Sequence, residues 1–402
     1  MRKAEIRRLE VAEYRAAYDV ARVSQHNPPV STSEWDLARH VYEPGLAVGA
    51  IVDGAVVGTV NLLPSQLTVP GGASLPMAAS TGSGVHTDYT RQGLFNRLKQ
   101  AQFDTAAEHG YLLIGNTPAQ ATLYGRFGHG VSTQSRALRI RKHEARLRSE
   151  VPAEGTVRLI DPESSLELLP KLYEQLGPYR PGVIARSAHW WKVYWERAVR
   201  AGQHFRIAVH SGAAGDDGFA VYAAKDNGSP GPNVTLLVTD FHAAGPAATA
   251  GLWRHLLSID LVDEVCVRTR PTDELVEAML VDWRGCRTHS IDDELWLRLL
   301  DVPAVLAART YCDAKPVVLE VVDAFRPANS GRFRISPEGA VPTSETAQLT
   351  VDVDVLAMAY LGTTKFSTLA GIGRVQVAEP AALAHADRLF ATDVASFCGT
   401  PV

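Results

Sequence analysis

Two short stretches of this 402-residue sequence carry side chains whose types and spacing suit chemistry. In "LYGRFGHG", residues 123–130, Tyr124 stands before three glycines that alternate with Arg126, Phe127 and His129. Each glycine costs about 0.5–1 kcal/mol of backbone entropy in a helix or strand, so the run reads as a tight return that holds the tyrosine in place. A phenol with a reference pKa of about 10 keeps its proton at neutral pH and can donate it to a base of similar strength. In "STGSGVHTDYTRQGLFNRL" a strand of small residues leads through Arg91 and Gly93 into an amphipathic pattern. Free N–H groups and the positive dipole end of that helix make an anion site, to which Arg91 adds a charge-assisted contact. An arginine and a glycine before a helix are by themselves a plain turn and cap. His86 and His129 are titratable neighbours that read as structural or solvent-facing.

These groups need strands and helices to position them. Apolar alternation around Asp53-Gly54 predicts a hairpin, a second turn falls at Pro70-Gly71-Gly72, and a third strand runs from about Met77 to Thr87. Leu94, Leu98, Ala101 and Thr105 share one helical stripe that Gly110 ends. "YLLIGN" is a buried strand, and the glycine-rich return leads into another, "STQSRALRIRK". A weaker version of this order recurs over residues 164–270, an internal duplication in which the strand-to-helix junction reads "DFHAAGPAATAG" and lacks the arginine. From residue 291 a strand and helix mixture with its own core is expected.

Composition narrows the class. The charge of -4 excludes the basic footprint of a nucleic-acid binder. Cys266, Cys286, Cys312 and Cys398 have neither zinc nor disulfide spacing, so no metal is expected and a reducing, cytoplasmic setting fits. The N-terminus lacks a signal-peptide core, which leaves only secretion without a recognisable signal as an exception, and no apolar run approaches the ~20 residues that span a bilayer.

The order strand, R-x-G turn, amphipathic helix, strand, tyrosine is that of the GNAT acyltransferases. Their signature Q/R-x-x-G-x-G/A falls on Thr90, Arg91, Gln92, Gly93, Leu94 and Phe95, with departures at Thr90 and Phe95. "TRQGLF", then "LYGRFGHG", "ELWLRLLDVPAVLAARTY" and the closing "LFATDVASFCGTPV" resemble the enhanced intracellular survival (Eis) acetyltransferases of actinobacteria over nearly the whole chain. The resemblance implies an α/β (α+β) protein: a catalytic GNAT domain at 1–148, a degenerate GNAT domain at 149–290, and a sterol-carrier-protein-like domain at 291–402 that ends in the catalytic terminus. It also implies a homohexamer.

By that likeness acetyl-CoA is the acetyl donor. Backbone groups of Ser83, Gly84 and Val85 would pair with its pantetheine arm, and Arg91, Gln92, Gly93, Leu94, Phe95 and Asn96 would wrap its pyrophosphate. Ala119 and Gln120 would line the far side of the arm. Tyr124 would be the general acid, and the C-terminal carboxylate, here on Val402, the general base. An α-carboxyl has a reference pKa of about 3.3–3.7, so the role calls for a buried terminus, which the apolar tail "SFCGTPV" suits. Trp35 and Trp190 would line the substrate groove, with core packing as the alternative for both. The expected substrates are aminoglycosides or lysine-type amines, although Gly82 and Pro401 replace an aromatic and an acidic residue of the family. The competing readings are a non-catalytic GNAT-fold sensor, a carrier of apolar ligands, and an acyltransferase acting on a biosynthetic intermediate.

Overall fold

The computed structural model describes residues 4–177, 180–228, 234–274 and 276–402. Its strands run in chain order as β1 (Glu5–Arg8), β2 (Val48–Val52), β3 (Ala55–Thr68), β4 (Ser74–Val85), β5 (Leu113–Asn116), β6 (His129–Val131), β7 (Gln134–Arg141), β8 (Thr156–Ile160), β9 (Arg206–Gly212), β10 (Gly215–Asp226), β11 (Val234–Ala243), β12 (Val262–Pro271), β13 (Cys286–Asp293) and β14 (Trp296–Leu299). A smaller sheet follows, built from β15 (Val317–Val322), β16 (Gly331–Ser336), β17 (Gly339–Pro342), β18 (Leu349–Asp352) and β19 (Val375–Val377).

The first sheet has the order β1-β2-β3-β4-β5-β14-β6, and the second, read from the other edge, β8-β9-β10-β11-β12-β7-β13. Each has one parallel pair, β4 with β5 and β11 with β12, and is otherwise antiparallel. The duplication is thus written in the pairing itself. The sixth place of each sheet is filled by a strand from elsewhere in the chain. β7, whose sequence position falls within residues 1–148, hydrogen-bonds into the second sheet, and β14, within residues 291–402, fills the gap in the first. The two crossings run side by side: the Ser132 and Thr133 amides donate to the Leu295 carbonyl at 2.9 and 3.1 Å, and the Glu294 amide donates to the Thr133 carbonyl at 3.1 Å.

Local sequence accounts for the elements that frame β4. Asp53 and Gly54 both take positive φ, 50° and 81°, the backbone of a type I′ hairpin turn whose twist matches its strands. The helix Leu94–Glu108 buries Leu94, Leu98, Phe103 and Ala106, and the chain leaves it through Gly110 at φ 79°. In the glycine run, Gly128 has φ 76°, and a Cβ on Gly130 would strike the Asp354 carbonyl at the start of the helix Val353–Tyr360. Gly125 has φ −54° and open space where a Cβ would stand, so this position does not require a glycine.

The last hundred residues do not keep a separate core. Leu67, Met77, Leu113 and Leu297 of the first sheet belong to one buried cluster with Val317, Leu319, Val351, Leu356 and Tyr360. β14 joins the two layers, which explains why the expectation of an independent third core fails.

Candidate active site

Two irregularities in β4 create the site. Thr59 of β3 pairs with Gly84 while Asn61 pairs with Thr81, so Gly82 and Ser83 together oppose a single residue. This is a β-bulge, and Gly82 at φ 56° makes the turn in it. On the other side, β4 pairs with β5 only from Met77 to Ala79, although β4 continues to Val85. Beyond Ala79 the strands part, and the main chain of Ser83, Gly84 and Val85 has no strand partner on that edge. An extended, amide-bearing ligand could add there as a strand does.

At the mouth of the opening stands the helix Leu94–Glu108. Its N-cap is Gly93, which supplies no side-chain cap, so the first N–H groups lack an intrahelical partner. Arg91 is exposed, holds φ 60° and takes part in no ion pair among the described residues. Gln92 donates to the Asp88 carbonyl at 3.1 Å, which bends the loop back on itself. Gln92, Gly93 and Asn96 are exposed, Leu94 is buried and Phe95 half-buried, so the loop is a main-chain cradle with one free cation. Ala119 and Gln120 lie exposed on the facing loop, where Gln120 is the N-cap of Ala121–Tyr124.

Tyr124 is half-buried and packs edge-on against Phe95, at 6.4 Å between centroids, and His129, at 5.5 Å. Burial pushes its phenol above the ordinary value of 10, while the nearby Ser83 hydroxyl works in the opposite direction. Ser83 Oγ is buried and makes no regular hydrogen bond among the described residues. His129 is buried with both ring nitrogens unpartnered, and burial holds its pKa well below the ordinary imidazole range. It stays neutral near neutral pH and faces Phe103 and Tyr124, which does not suit it to receive a proton from solvent-borne amines.

The other side of β4 meets the end of the chain. Leu63, Ala79, Thr81, Ile184, Trp190, Tyr194 and Val402 line a narrow crevice with room for about one water molecule. The tail reaches it through a series of buried contacts. Glu294 accepts from the Cys398 amide at 2.9 Å and the Gly399 amide at 2.8 Å, and also from Thr133 Oγ1 at 2.9 Å. Arg186 donates to Thr400 Oγ1 at 3.0 Å and the Gly399 carbonyl at 3.2 Å, and pairs with Asp240 at 2.6 Å. Trp190 Nε1 donates to the Pro401 carbonyl at 3.0 Å. Trp190 therefore anchors the tail as well as lining the cleft. Trp35 lies in a separate aromatic cluster, 5.7 Å from Tyr18 and 6.3 Å from Tyr42, and is not among the residues of the cleft.

Sequence reasoning had no means of finding Glu294 or Arg186. Each acts on a backbone more than a hundred residues away: Glu294 reads as the last of an acidic run after Asp292 and Asp293, and Arg186 as a lone charge among apolar and small residues.

The matching opening in the second sheet is closed. β11 and β12 pair as far as Val238 and Val267, and beyond that point the buried Arg270 donates to the Phe241 carbonyl at 2.7 Å and to Glu274 Oε2 at 2.8 Å. The guanidinium bridges the edge that β4 leaves bare. The junction "DFHAAGPAATAG" has no arginine to stand at the start of the helix that follows.

A bulged strand splayed from its parallel neighbour, with a helix N-terminus at the opening, defines a GNAT-type acetyltransferase. Residues 5–132 and 182–299 match the acetyltransferase (GNAT) domain, and residues 302–399 the sterol carrier protein domain. An uncharacterized N-acetyltransferase of Streptomyces coelicolor is 35% identical over 383 residues, covering 91% of this chain and 92% of that protein. The N-acetyltransferase Eis of Mycobacterium tuberculosis is 31% identical over 370 residues, covering 86% and 87%. The crystal structure of Eis1 from Mycobacterium abscessus superposes with a TM-score of 0.90 at 33% identity, covering the whole of both chains. The chain belongs to the Eis-like GNAT N-acetyltransferases. GNAT acetyltransferases use acetyl-CoA, and the bare β4 edge and the uncapped helix beside Arg91 fit its amide-bearing arm and its pyrophosphate. Among the described residues no helix is long and apolar enough to cross a membrane.

Proposed function

We propose that acetyl-CoA lies along the open edge of β4 and that its acetyl group passes directly to an amine, with Tyr124 as general acid and the Val402 carboxylate as general base. The observation that carries this reading is the convergence on β4: Tyr124 approaches Ser83 in the bulge, and Val402 lines the same crevice as Thr81, just before it. Acetyl-CoA supplies an activated acyl group and a thiolate leaving group. The chain's own task is to take a proton from the amine on one side and to give one to sulfur on the other. In this reading residues 1–148 bind the donor, while residues 149–290 and 291–402 seat the tail and deliver its carboxylate.

The cleft wall favours an amine borne on an apolar body. Leu63, Ala79, Ile184 and Trp190 present carbon surface, and no aspartate or glutamate side chain lines it. Aminoglycosides and peptidyl lysine are the polycationic and extended alternatives. The test is thiol release from acetyl-CoA across a panel of aryl-alkyl amines, aminoglycosides and lysine peptides, with the intact protein and with Tyr124→Phe. Release with any amine, lost in Tyr124→Phe, supports the reading; coenzyme A binding without release from any amine replaces it with a sensor. Sedimentation of the purified chain tests the hexamer proposed from the family.

Arg91→Ala is expected to raise KM for acetyl-CoA about tenfold with kcat nearly unchanged. A charge-assisted hydrogen bond at an exposed site is worth about 1.5 kcal/mol, close to the 1.4 kcal/mol that equals one decade. Initial rates at varied acetyl-CoA check this, and an unchanged KM would remove Arg91 from the donor site.

A further inference from the structure

A charge lies beneath the Tyr124 ring that the acetyl-transfer scheme does not use. Lys99, on the helix Leu94–Glu108, is 0% exposed. Its ammonium sits 5.3 Å from the Tyr124 ring centroid and 5.1 Å from that of Phe103, and donates to Gln102 Oε1 at 2.6 Å. Gln102 is held in turn by the Asn61 carbonyl at 3.1 Å and Ser80 Oγ at 3.0 Å, which ties the arrangement to β3 and β4. Among the described residues Lys99 has no carboxylate partner. The other charged or titratable groups of the cluster come from β6 and β14. They are His129, neutral and edge-on to Tyr124, and Arg298, whose guanidinium lies 5.2 Å from the Phe103 centroid and is paired to Asp323 at 2.6 Å.

A buried ammonium without a counterion is costly, and a methionine would fill the same space without that cost. We propose that Lys99 is a positioning residue that acts through Tyr124, its charge favouring the phenolate that forms as Tyr124 gives up its proton. This rests on Tyr124 being the general acid. In the step concerned, the amine nitrogen bonds to the acyl carbon and gives a proton to the Val402 carboxylate, the carbon–sulfur bond breaks, and the Tyr124 proton goes to sulfur. The phenolate then regains a proton from solvent, and Lys99 keeps its own throughout. Burial weakens the phenol as an acid, and the Lys99 ammonium, 5.3 Å from the ring centroid, is placed to offset that as the phenolate forms.

Burial, with Arg298 adding to it, brings the Lys99 ammonium down to about 7. The stabilising charge is therefore present below that pH and is lost above it, and the kcat profile of the intact enzyme should carry a titration near 7. In Lys99→Met kcat is expected to fall about tenfold, KM for both substrates to stay within twofold, and the titration near 7 to vanish. The folded pKa of Lys99 is below its unfolded value of ~10.4, so its charge destabilises the fold most at low pH. Lys99→Met should accordingly raise Tm, more at pH 6 than at pH 9, where a purely structural lysine would lower it. In a Tyr124→Phe background the substitution should change the residual rate by less than twofold. Lys99→Gln, with a neutral polar end, repeats the measurement if the methionine variant does not fold. Unchanged kcat with an unchanged pH profile in either variant overturns the inference. If Tyr124→Phe itself retains full activity, the general-acid reading fails instead.

Discussion

Replacing Tyr124 with phenylalanine is expected to lower kcat by about 10²–10⁴-fold, the usual contribution of a positioned proton donor, while leaving Tm and KM for acetyl-CoA nearly unchanged. The substitution removes one oxygen and nothing else. The ring keeps its edge-on contacts with Phe95 at 6.4 Å and His129 at 5.5 Å, and the hydroxyl gives up its approach to Ser83. A large rate loss without a stability loss would therefore place the proton itself in the reaction. The sign of the pH dependence follows from burial. Because the phenol is pushed above 10, Tyr124 stays protonated through the neutral range, and its own deprotonation can reduce kcat only at pH above that value. The measurement is the initial rate of thiol release from pH 6 to 10 with a saturating amine. A kcat within threefold of the intact enzyme would show that solvent protonates the leaving sulfur.

What the sequence could show about this site, and what it could not, follows from the range of the interactions. The hairpin at Asp53-Gly54, the helix stop at Gly110 and the helix start at Gly93 are local features, set by a few residues' φ preferences, and the structure has them where the sequence predicts. The duplication was also legible, because each half repeats the same local order. The strand exchange was not: β14 pairs with β5 across some 180 residues, and nothing within Trp296–Leu299 says which edge it will meet. The same limit applies to the charges. Gln102 falls at the margin of the helical stripe of Leu94, Leu98, Ala101 and Thr105 and Lys99 on the far side of it, yet both are fully buried because β3, β4 and the glycine return close over them. Helical period predicts one buried face; it does not predict a second layer packed against the flank.

Removing Val402 should lower kcat by at least about 10²-fold, since a general base contributes on the scale of a general acid and the new terminus on Pro401 falls one residue, about 3.3–3.6 Å, short of the cleft. Formate or acetate added to the shortened chain should restore part of the rate if the missing group is a carboxylate, and no rescue together with full activity would exclude the terminus as the base. Glu294 tests the same idea from the other end. It accepts the Cys398 and Gly399 amides at 2.9 and 2.8 Å, and these hydrogen bonds oppose the burial that raises its own pKa. In Glu294→Gln one amide meets a carbonyl oxygen and the other an NH₂ group, a donor facing a donor. A hydrogen bond to a charged group is worth about 1.5–3 kcal/mol, part of which is offset by relieving the buried charge, so a loss of about 1–2 kcal/mol of stability is expected. The catalytic cost should be of similar size, about tenfold in kcat or about 1.4 kcal/mol, with KM for acetyl-CoA unchanged, because Glu294 touches the tail and not the loop at Arg91. If the tail acts as one unit, the two changes cannot add. With Val402 already absent, Glu294→Gln should cost stability but almost no further rate. Full additivity in the rate would mean that Glu294 serves the reaction by some path other than the position of the terminal carboxylate.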